Sequence, residues 1–151
     1  MLLEQQRASY ALSYVKEMLK VNSDQQAKYV TLVQGAPAMI IANGLGQTVA
    51  FWLDNCQNGR GNHHHDASWL LYNHLSGWLT DKRHLYTPSQ DQQRGLLGLI
   101  IDGNTDQYLA AQEESLALLA WLKRFAVAFL KPVSDSRSGV KDNVSGSSGN
   151  S

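Results

Sequence analysis

The sequence predicts an all-α fold on the basis of its composition, its few prolines and its helical periodicity. Leu, Ala, Gln and Ser are abundant, only three prolines occur, and β-branched residues do not alternate regularly with polar ones. Apolar residues recur at three- and four-residue steps, which places them on one face of a helix. A chain of 151 residues with 43% hydrophobic content fits one domain. We expect a single compact bundle of about five to six helices over residues 1–131 and a disordered polar tail over residues 132–151.

The first helix is predicted from about Glu4 to Lys20, with the break after it at Asn22-Ser23. Ser23 and Gln26 have the spacing of a capping box, which predicts the start of the second helix. The expected apolar face of the first helix consists of Ala8, Ala11, Leu12, Val15 and Leu19.

The stretch from Gly35 to Phe51 combines a long apolar run with polar residues and glycines. Pro37 is expected to kink the second helix or to restart it, and the helix then continues to about Asp54. A helix here would be buried nearly all round, so its polar groups need hydrogen bonds and each glycine costs about 1 kcal/mol relative to alanine. We therefore expect close backbone approach and a fixed polar contact in this segment. The residues that define the structural core motif are Pro37, Asn43, Gly44, Gly46 and Gln47 of this segment, together with Trp121 of the last helix.

The second half of the chain begins with a polar loop over Asn55–Asp66 and continues with a helix over about Asp66–Leu79. Thr87, Pro88 and Gln90 predict another helix start, and Asp102-Gly103 predict its end. The apolar set expected on the helix from Asp66 is Trp69, Tyr72, Leu75, Trp78 and Leu79.

The last helix is predicted to begin with a capping box of Asn104 and Gln107 and to stop at Pro132. Its apolar residues follow at four-, three- and four-residue steps. They are Leu118, Leu122, Phe125 and Phe129, with Trp121 beside them.

The charge and cysteine content exclude several classes of protein. Thirteen basic and thirteen acidic residues give a formal net charge of zero, so no whole-molecule field draws the chain onto nucleic acid or an anionic membrane. The single Cys56 excludes an internal disulfide and is typical of a reducing cytoplasm. The N-terminus has no signal-peptide pattern, and no apolar run approaches the roughly 20 residues that span a bilayer. A cytoplasmic protein without membrane contact is expected.

Cys56 and the run His63-His64-His65-Asp66 are the only residues that resemble metal or nucleophile chemistry. Their spacing matches no zinc pattern, and a nucleophilic cysteine needs a base and an orienting group for which no family spacing is present. His74 and His84 are single, and the adjacent carboxylates of Glu113 and Glu114 point about 100° apart on a helix. We expect no catalytic residue, no metal and no cofactor.

Two sets of cations allow two interpretations. Lys123, Arg124 and Lys131 either complement the macrodipole at the end of the last helix or contact RNA phosphates. The first helix poses the same choice with Arg7, Lys16 and Lys20.

Four segments together resemble a known family, the small all-helical subunit of the type III-B CRISPR Cmr effector complex. The central apolar segment and the Trp-Leu-Lys-Arg-Phe-Ala run are specific in combination, and the four follow the same order at similar spacing across residues 1–131. The segments are Glu4–Ala11, Ala36–Phe51, Leu70–Leu79 and Glu114–Ala126, the last containing Trp121.

The resemblance implies a non-catalytic scaffold that stacks, with copies of itself and the large Cmr subunit, into the shorter filament of a ribonucleoprotein. That filament lies beside the backbone subunits that hold the CRISPR RNA (crRNA), and the residues that cut target RNA belong to another subunit. The cations that it implies as contacts to crRNA or target RNA are Arg7, Lys16, Lys123 and Arg124. The histidine-rich loop and the tail after Lys131 have no counterpart in the resemblance.

Two alternatives remain beside the scaffold. One is a Cys/His-dependent or metal-dependent hydrolase that uses the 56–66 loop. The other is a free-standing RNA-binding module, which would bind RNA tightly and with strong salt dependence when isolated.

Overall fold

A computed structural model describes residues 1–57, 66–87 and 95–130 as an all-α bundle. Its six α-helices and one π-helical turn confirm the predicted fold class. The elements are α1 (Leu3–Met18), α2 (Ser23–Asn43), α3 (Leu45–Gln57), α4 (Ala67–Gly77), the π-helical turn (Trp78–Lys82), α5 (Gly95–Asp102) and α6 (Thr105–Phe129). Pro88, Gln90, the 63–65 histidines and the tail over 132–151 lie outside the described residues.

The longest described helix, α6, packs against both α1 and α2, and α4 packs on α2 to complete the core. The face of α1 that enters this core is rotated from the predicted one. Leu19 is half exposed and Leu12 only partly buried, because Tyr10 and Met18 take the interior positions. The buried residues of α1 are Tyr10, Ala11, Val15 and Met18.

Close contact between α1 and α4 depends on a glycine. A Cβ atom built on Gly77 would lie 2.8 Å from the Tyr10 hydroxyl oxygen. That hydroxyl donates a 2.6 Å hydrogen bond to the carbonyl of His74, one turn earlier in α4. The helix predicted from Asp66 is α4, and Asp66 is its N-cap. At Trp78 the α-helix changes into the π-helical turn, which the sequence did not predict.

The start of α2 differs from the prediction by one residue. Asn22 is the N-cap, because its side-chain oxygen accepts the backbone N–H of Gln25 at 3.0 Å. Gln26 does not reach back to a cap and instead donates to the carbonyl of Val21 at 2.7 Å. The predicted capping box of Ser23 and Gln26 is therefore wrong.

The break in the central segment is at Gly44, and Pro37 lies inside a helix that continues to Asn43. Gly44 has φ 87° and ψ 161°, a backbone conformation that is essentially restricted to glycine. The expectation of one helix continuing to Asp54 and buried nearly all round is wrong. Asn43 and Gln47 are exposed, as is 74% of Ile41, since the change of direction turns this corner outward.

The last helix begins as predicted. The Asn104 side chain accepts the Gln107 backbone N–H at 2.8 Å, and the Gln107 side chain accepts the Asn104 N–H at 3.0 Å. Leu118 and Leu122 are buried, whereas half of Phe129 is exposed at the end of the helix. Within the described ranges, no helix is both long and apolar enough to cross a bilayer.

Candidate interaction surfaces and the buried polar network

The corner between α2 and α3 supplies the close approach and the polar contact expected of the central segment. The first N–H groups of α3 have no partner inside their own helix. The Leu45 N–H donates to Gln112 Oε1 at 3.1 Å and the Gly46 N–H donates to the Tyr108 hydroxyl at 3.2 Å. Both acceptors belong to α6, so this corner is fixed on α6 by backbone donors, and the exposed side chains of Asn43 and Gln47 take no part in these contacts.

Thr48 completes this corner from inside. Its side chain is fully buried, and its hydroxyl donates to the Gly44 carbonyl at 2.8 Å. The Gly44 carbonyl also accepts the Thr48 N–H at 3.2 Å, which closes the first turn of α3. The polar residues of the motif thus stabilise a turn between two helices.

Arg7 is held inside the bundle by two carboxylates. Its Nε and Nη2 donate to the two oxygens of Glu114 at 2.8 and 2.7 Å, and its Nη1 donates to Glu4. Only 16% of the Arg7 side chain and 8% of the Glu114 side chain are exposed. Since all three guanidinium nitrogens donate to carboxylates, Arg7 serves the packing of α1 on α6.

Glu114 is the centre of this network. Its Oε1 also accepts the indole N–H of Trp78 at 2.9 Å and lies 3.7 Å from the Nε of Arg83. The hydrogen bond from Arg7 lowers the pKa of Glu114 below its usual value, so the carboxylate is charged at neutral pH. One side chain of α6 therefore holds α1, the π-helical turn and the segment after it.

Lys16, Lys123 and Arg124 are exposed, and none of them forms an ion pair with any described residue. The structure does not bring them together. Trp121 donates its indole N–H to Glu4 at 3.1 Å, which places the end of α6 beside the start of α1. Lys16 lies twelve residues after Glu4 in α1, about 18 Å further along at 1.5 Å per residue.

Cys56 does not have the properties of a nucleophile. Only 2% of the residue is exposed, and its thiol donates to the Trp52 carbonyl at 3.1 Å. Burial raises the pKa of the thiol to about 11, so the reactive thiolate is absent at neutral pH. The cysteine-dependent alternative therefore loses its nucleophile, while the metal interpretation concerns the undescribed 63–65 histidines and stays a hypothesis.

His74 is a buried, partnered histidine, which corrects its interpretation as a single residue without a partner. Its Nδ1 lies 2.7 Å from the hydroxyl oxygen of Tyr29. Burial lowers the pKa of His74 to about 3 and raises that of Tyr29, so both are neutral at pH 7. Sequence analysis could not predict this pair, because the two partners lie 45 residues apart along the chain.

We expect the stability of the protein to fall by about 2 kcal/mol between pH 7 and pH 5 because of His74. The unfolded imidazole takes up a proton below its usual pKa of about 6.5, whereas the folded one does so only below about 3. In that window the unfolded state binds more protons, so unfolding becomes easier as the pH drops. Both pH values lie above the usual pKa of 4.5 for Glu114, so protonation of that carboxylate contributes little to the difference.

Urea denaturation at the two pH values checks this expectation. His74→Asn keeps an acceptor near the position of Nδ1 and should remove most of the pH dependence. His84→Asn replaces an exposed histidine whose φ of 53° suits asparagine, and it should keep the wild-type difference. Equal pH dependence in the wild type and His74→Asn would contradict the assignment to His74.

Comparison with protein families gives one match that covers most of the chain. The family model described as CRISPR-associated protein (Cas_Cmr5) matches residues 3–129, from the first residue of α1 to the last residue of α6. This match covers well over half of the chain and includes the α2–α3 corner and the Arg7–Glu114 network. The chain therefore belongs to the Cas_Cmr5 family, the small helical subunits of type III-B CRISPR Cmr complexes.

Proposed function

We propose that this chain is a non-catalytic structural subunit of a cytoplasmic type III-B CRISPR ribonucleoprotein that degrades target RNA in antiviral defence. It forms the minor filament with the large subunit and with copies of itself, beside the backbone subunits that hold the crRNA. The family match over residues 3–129 carries this proposal. The chemistry of RNA cutting belongs to another subunit.

Exposed apolar side chains on the helices support a role in assembly. Ile101 is 60% exposed, Leu109 57% and Val127 53%. Leu109 and Val127 lie 18 residues apart on α6, about 27 Å along the helix axis at 1.5 Å per residue. Apolar surface near both ends of the longest helix is available to neighbouring subunits in a filament.

The exposed cations support an electrostatic contact with RNA. Lys123 and Arg124 lie in the last two turns of α6, and Lys16 lies on α1 about 18 Å along the helix from Glu4, the residue that contacts Trp121. The net charge of zero predicts weak binding by the isolated chain, because affinity for phosphates grows with the number of cations that release counterions. Contact with RNA is therefore expected to depend on the assembled complex.

Purification from the native host tests the placement in the complex. A tagged chain should retain the large subunit, the backbone subunits and crRNA, in a complex that cleaves target RNA while the isolated chain does not. Tight, salt-sensitive RNA binding by the isolated chain would favour the free-standing RNA-binding module. RNA cleavage by the isolated chain that one point substitution abolishes would contradict the non-catalytic role.

Replacing Lys123 and Arg124 with alanine is expected to weaken target-RNA binding by the complex about uniformly across sequences. The slope of log affinity against log salt should decrease by about 1 for each phosphate that no longer has a cation beside it. Lys28→Ala, which removes an exposed cation from α2, is the matched control and should leave the slope unchanged. Identical slopes for the double variant and the control would contradict a role of these two cations in RNA binding.

A further inference from the structure

A groove of about 850 Å³ lies between α1 on one side and α4 with the π-helical turn on the other. Its size is within the range of pockets that hold small molecules. It is next to the π-helical turn, a rare backbone feature that is frequent at functional sites. The residues that characterise its lining are Ser9, Ser13, Tyr14, His74, Trp78 and Lys82.

Aromatic rings form much of the groove. The ring centroid of Tyr14 lies 4.6 Å from that of Tyr10 and 4.5 Å from that of His74, and Tyr10 lies 4.9 Å from Trp78. Tyr10, His74 and Trp78 are buried, whereas Tyr14 is only partly buried and lines the groove. Such a surface suits a flat aromatic ligand, since stacking needs only an accessible ring face.

His74 adds a hydrogen-bond donor to the aromatic groove. The residue is 4% exposed, and its Nδ1 lies 2.7 Å from the buried Tyr29 hydroxyl oxygen. That hydroxyl has no other acceptor among the described residues, so we assign it as the donor to Nδ1. A neutral imidazole carries one proton, which must then be on Nε2. Among the described residues Nε2 has no hydrogen-bond partner, yet it is not one of the fully buried unpaired atoms. A small part of Nε2 is therefore exposed, and His74 lines the groove.

The charges around the groove favour a neutral ligand group over a chain of phosphates. Lys82 is preceded in the chain by the acidic Asp81, and Glu17 is paired with Lys20 at 3.4 Å. The hydroxyls of Ser9 and Ser13 offer further hydrogen bonds without net charge. A nucleobase has the ring face and the polar edge that match these groups.

We propose that this groove binds one unpaired nucleobase of single-stranded RNA, stacked on Tyr14 and hydrogen-bonded by His74 Nε2. The proposal rests on the proposed function, because membership of a ribonucleoprotein is what brings RNA to the chain. It adds a base-binding site whose lining includes neither Lys123 nor Arg124. Its binding should depend only weakly on salt, in contrast to the phosphate contacts.

Fluorescence of a single-stranded hexaribonucleotide that carries one 2-aminopurine tests the site, because stacking on a tyrosine quenches this base. The full-length chain should quench it, and Ser13→Trp, which fills the groove from an exposed helix position, should weaken binding by roughly tenfold or more. Tyr14→Leu keeps apolar bulk without the ring and should give a similar loss. Thr31→Trp, at an exposed position of α2 outside the groove, is the matched control.

The outcomes separate this proposal from the proposed function. Equal quenching by Ser13→Trp and Thr31→Trp, or no quenching by the wild type, would overturn the base site while co-purification still tests the subunit role. If Ser13→Trp keeps its oligonucleotide affinity but no longer co-purifies with the complex, the groove contacts protein and the proposal is overturned. Failure of the wild type to co-purify would contradict the subunit role alone.

Discussion

Replacing Glu114 with alanine is expected to lower the free energy of unfolding by about 3–5 kcal/mol, the range for breaking a buried ion pair by removing one partner. The substitution leaves the guanidinium of Arg7, 16% exposed, without the carboxylate that binds two of its nitrogens. It also removes the acceptor of the Trp78 indole N–H. Urea denaturation at pH 7, monitored by circular dichroism, measures the effect.

Glu113 provides a matched control for this substitution. It is the preceding residue in the same helix, but its side chain is exposed, so Glu113→Ala should change stability by no more than about 0.5 kcal/mol. Glu114→Gln keeps an acceptor for Trp78 while it removes the charge opposite Arg7, and its destabilisation should lie between the other two. Similar stabilities for Glu114→Ala and Glu113→Ala would show that the network contributes little.

Replacing Gly44 with alanine is expected to lower the free energy of unfolding by about 2–4 kcal/mol. A non-glycine residue at φ 87° and ψ 161° is strained by about 1–3 kcal/mol. The new Cβ would also lie 2.7 Å from the Tyr108 hydroxyl oxygen. Tyr108 must move to relieve this contact, and the Gly46 N–H then loses its acceptor, which adds about 1 kcal/mol.

Gly35→Ala is the control for Gly44→Ala, because Gly35 lies within α2 and a Cβ there meets nothing within 4 Å. Alanine at an unstrained helical position should raise stability by about 0.5–1 kcal/mol. The two glycine substitutions are thus expected to have opposite signs, as measured by thermal and urea denaturation. The same sign for both would contradict the role assigned to Gly44.

The elements that sequence analysis predicted well are those specified by neighbouring residues. The capping box of Asn104 and Gln107 spans three residues, so its two hydrogen bonds follow from local spacing once the helix forms. The one-residue error at the start of α2 has a local cause as well. Asn22 and Ser23 both have side-chain oxygens that suit an N-cap, and the preference between them is small.

The position of the break in the central segment needed information from outside the segment. Pro37 is the stronger helix breaker by propensity, yet the helix continues through it and ends at Gly44. The reason is on α6, where Gln112 and Tyr108 accept the free N–H groups at the start of α3. These acceptors lie more than 60 residues further along the chain, beyond the reach of any periodicity.

The candidate sites also divide into features that neighbouring residues specify and features that depend on contacts between distant residues. Exposure of Lys16, Lys123 and Arg124 agrees with their positions on the polar sides of helices, which the sequence indicates. The engagement of Arg7 by Glu114 joins residues 107 positions apart, so nothing near Arg7 predicts it. The groove beside Tyr14 and His74 likewise exists only where α1 meets α4.

By itself the sequence determined the all-α class, the approximate position of most helices and the family, because each depends on residue order and short-range spacing. Tertiary structure alone decided which cation is buried, where the central segment turns and how His74 is paired. The physical reason is that hydrogen bonding and desolvation act between side chains that meet across helices, and the meeting of residues 45 to 107 positions apart is set by how the helices pack.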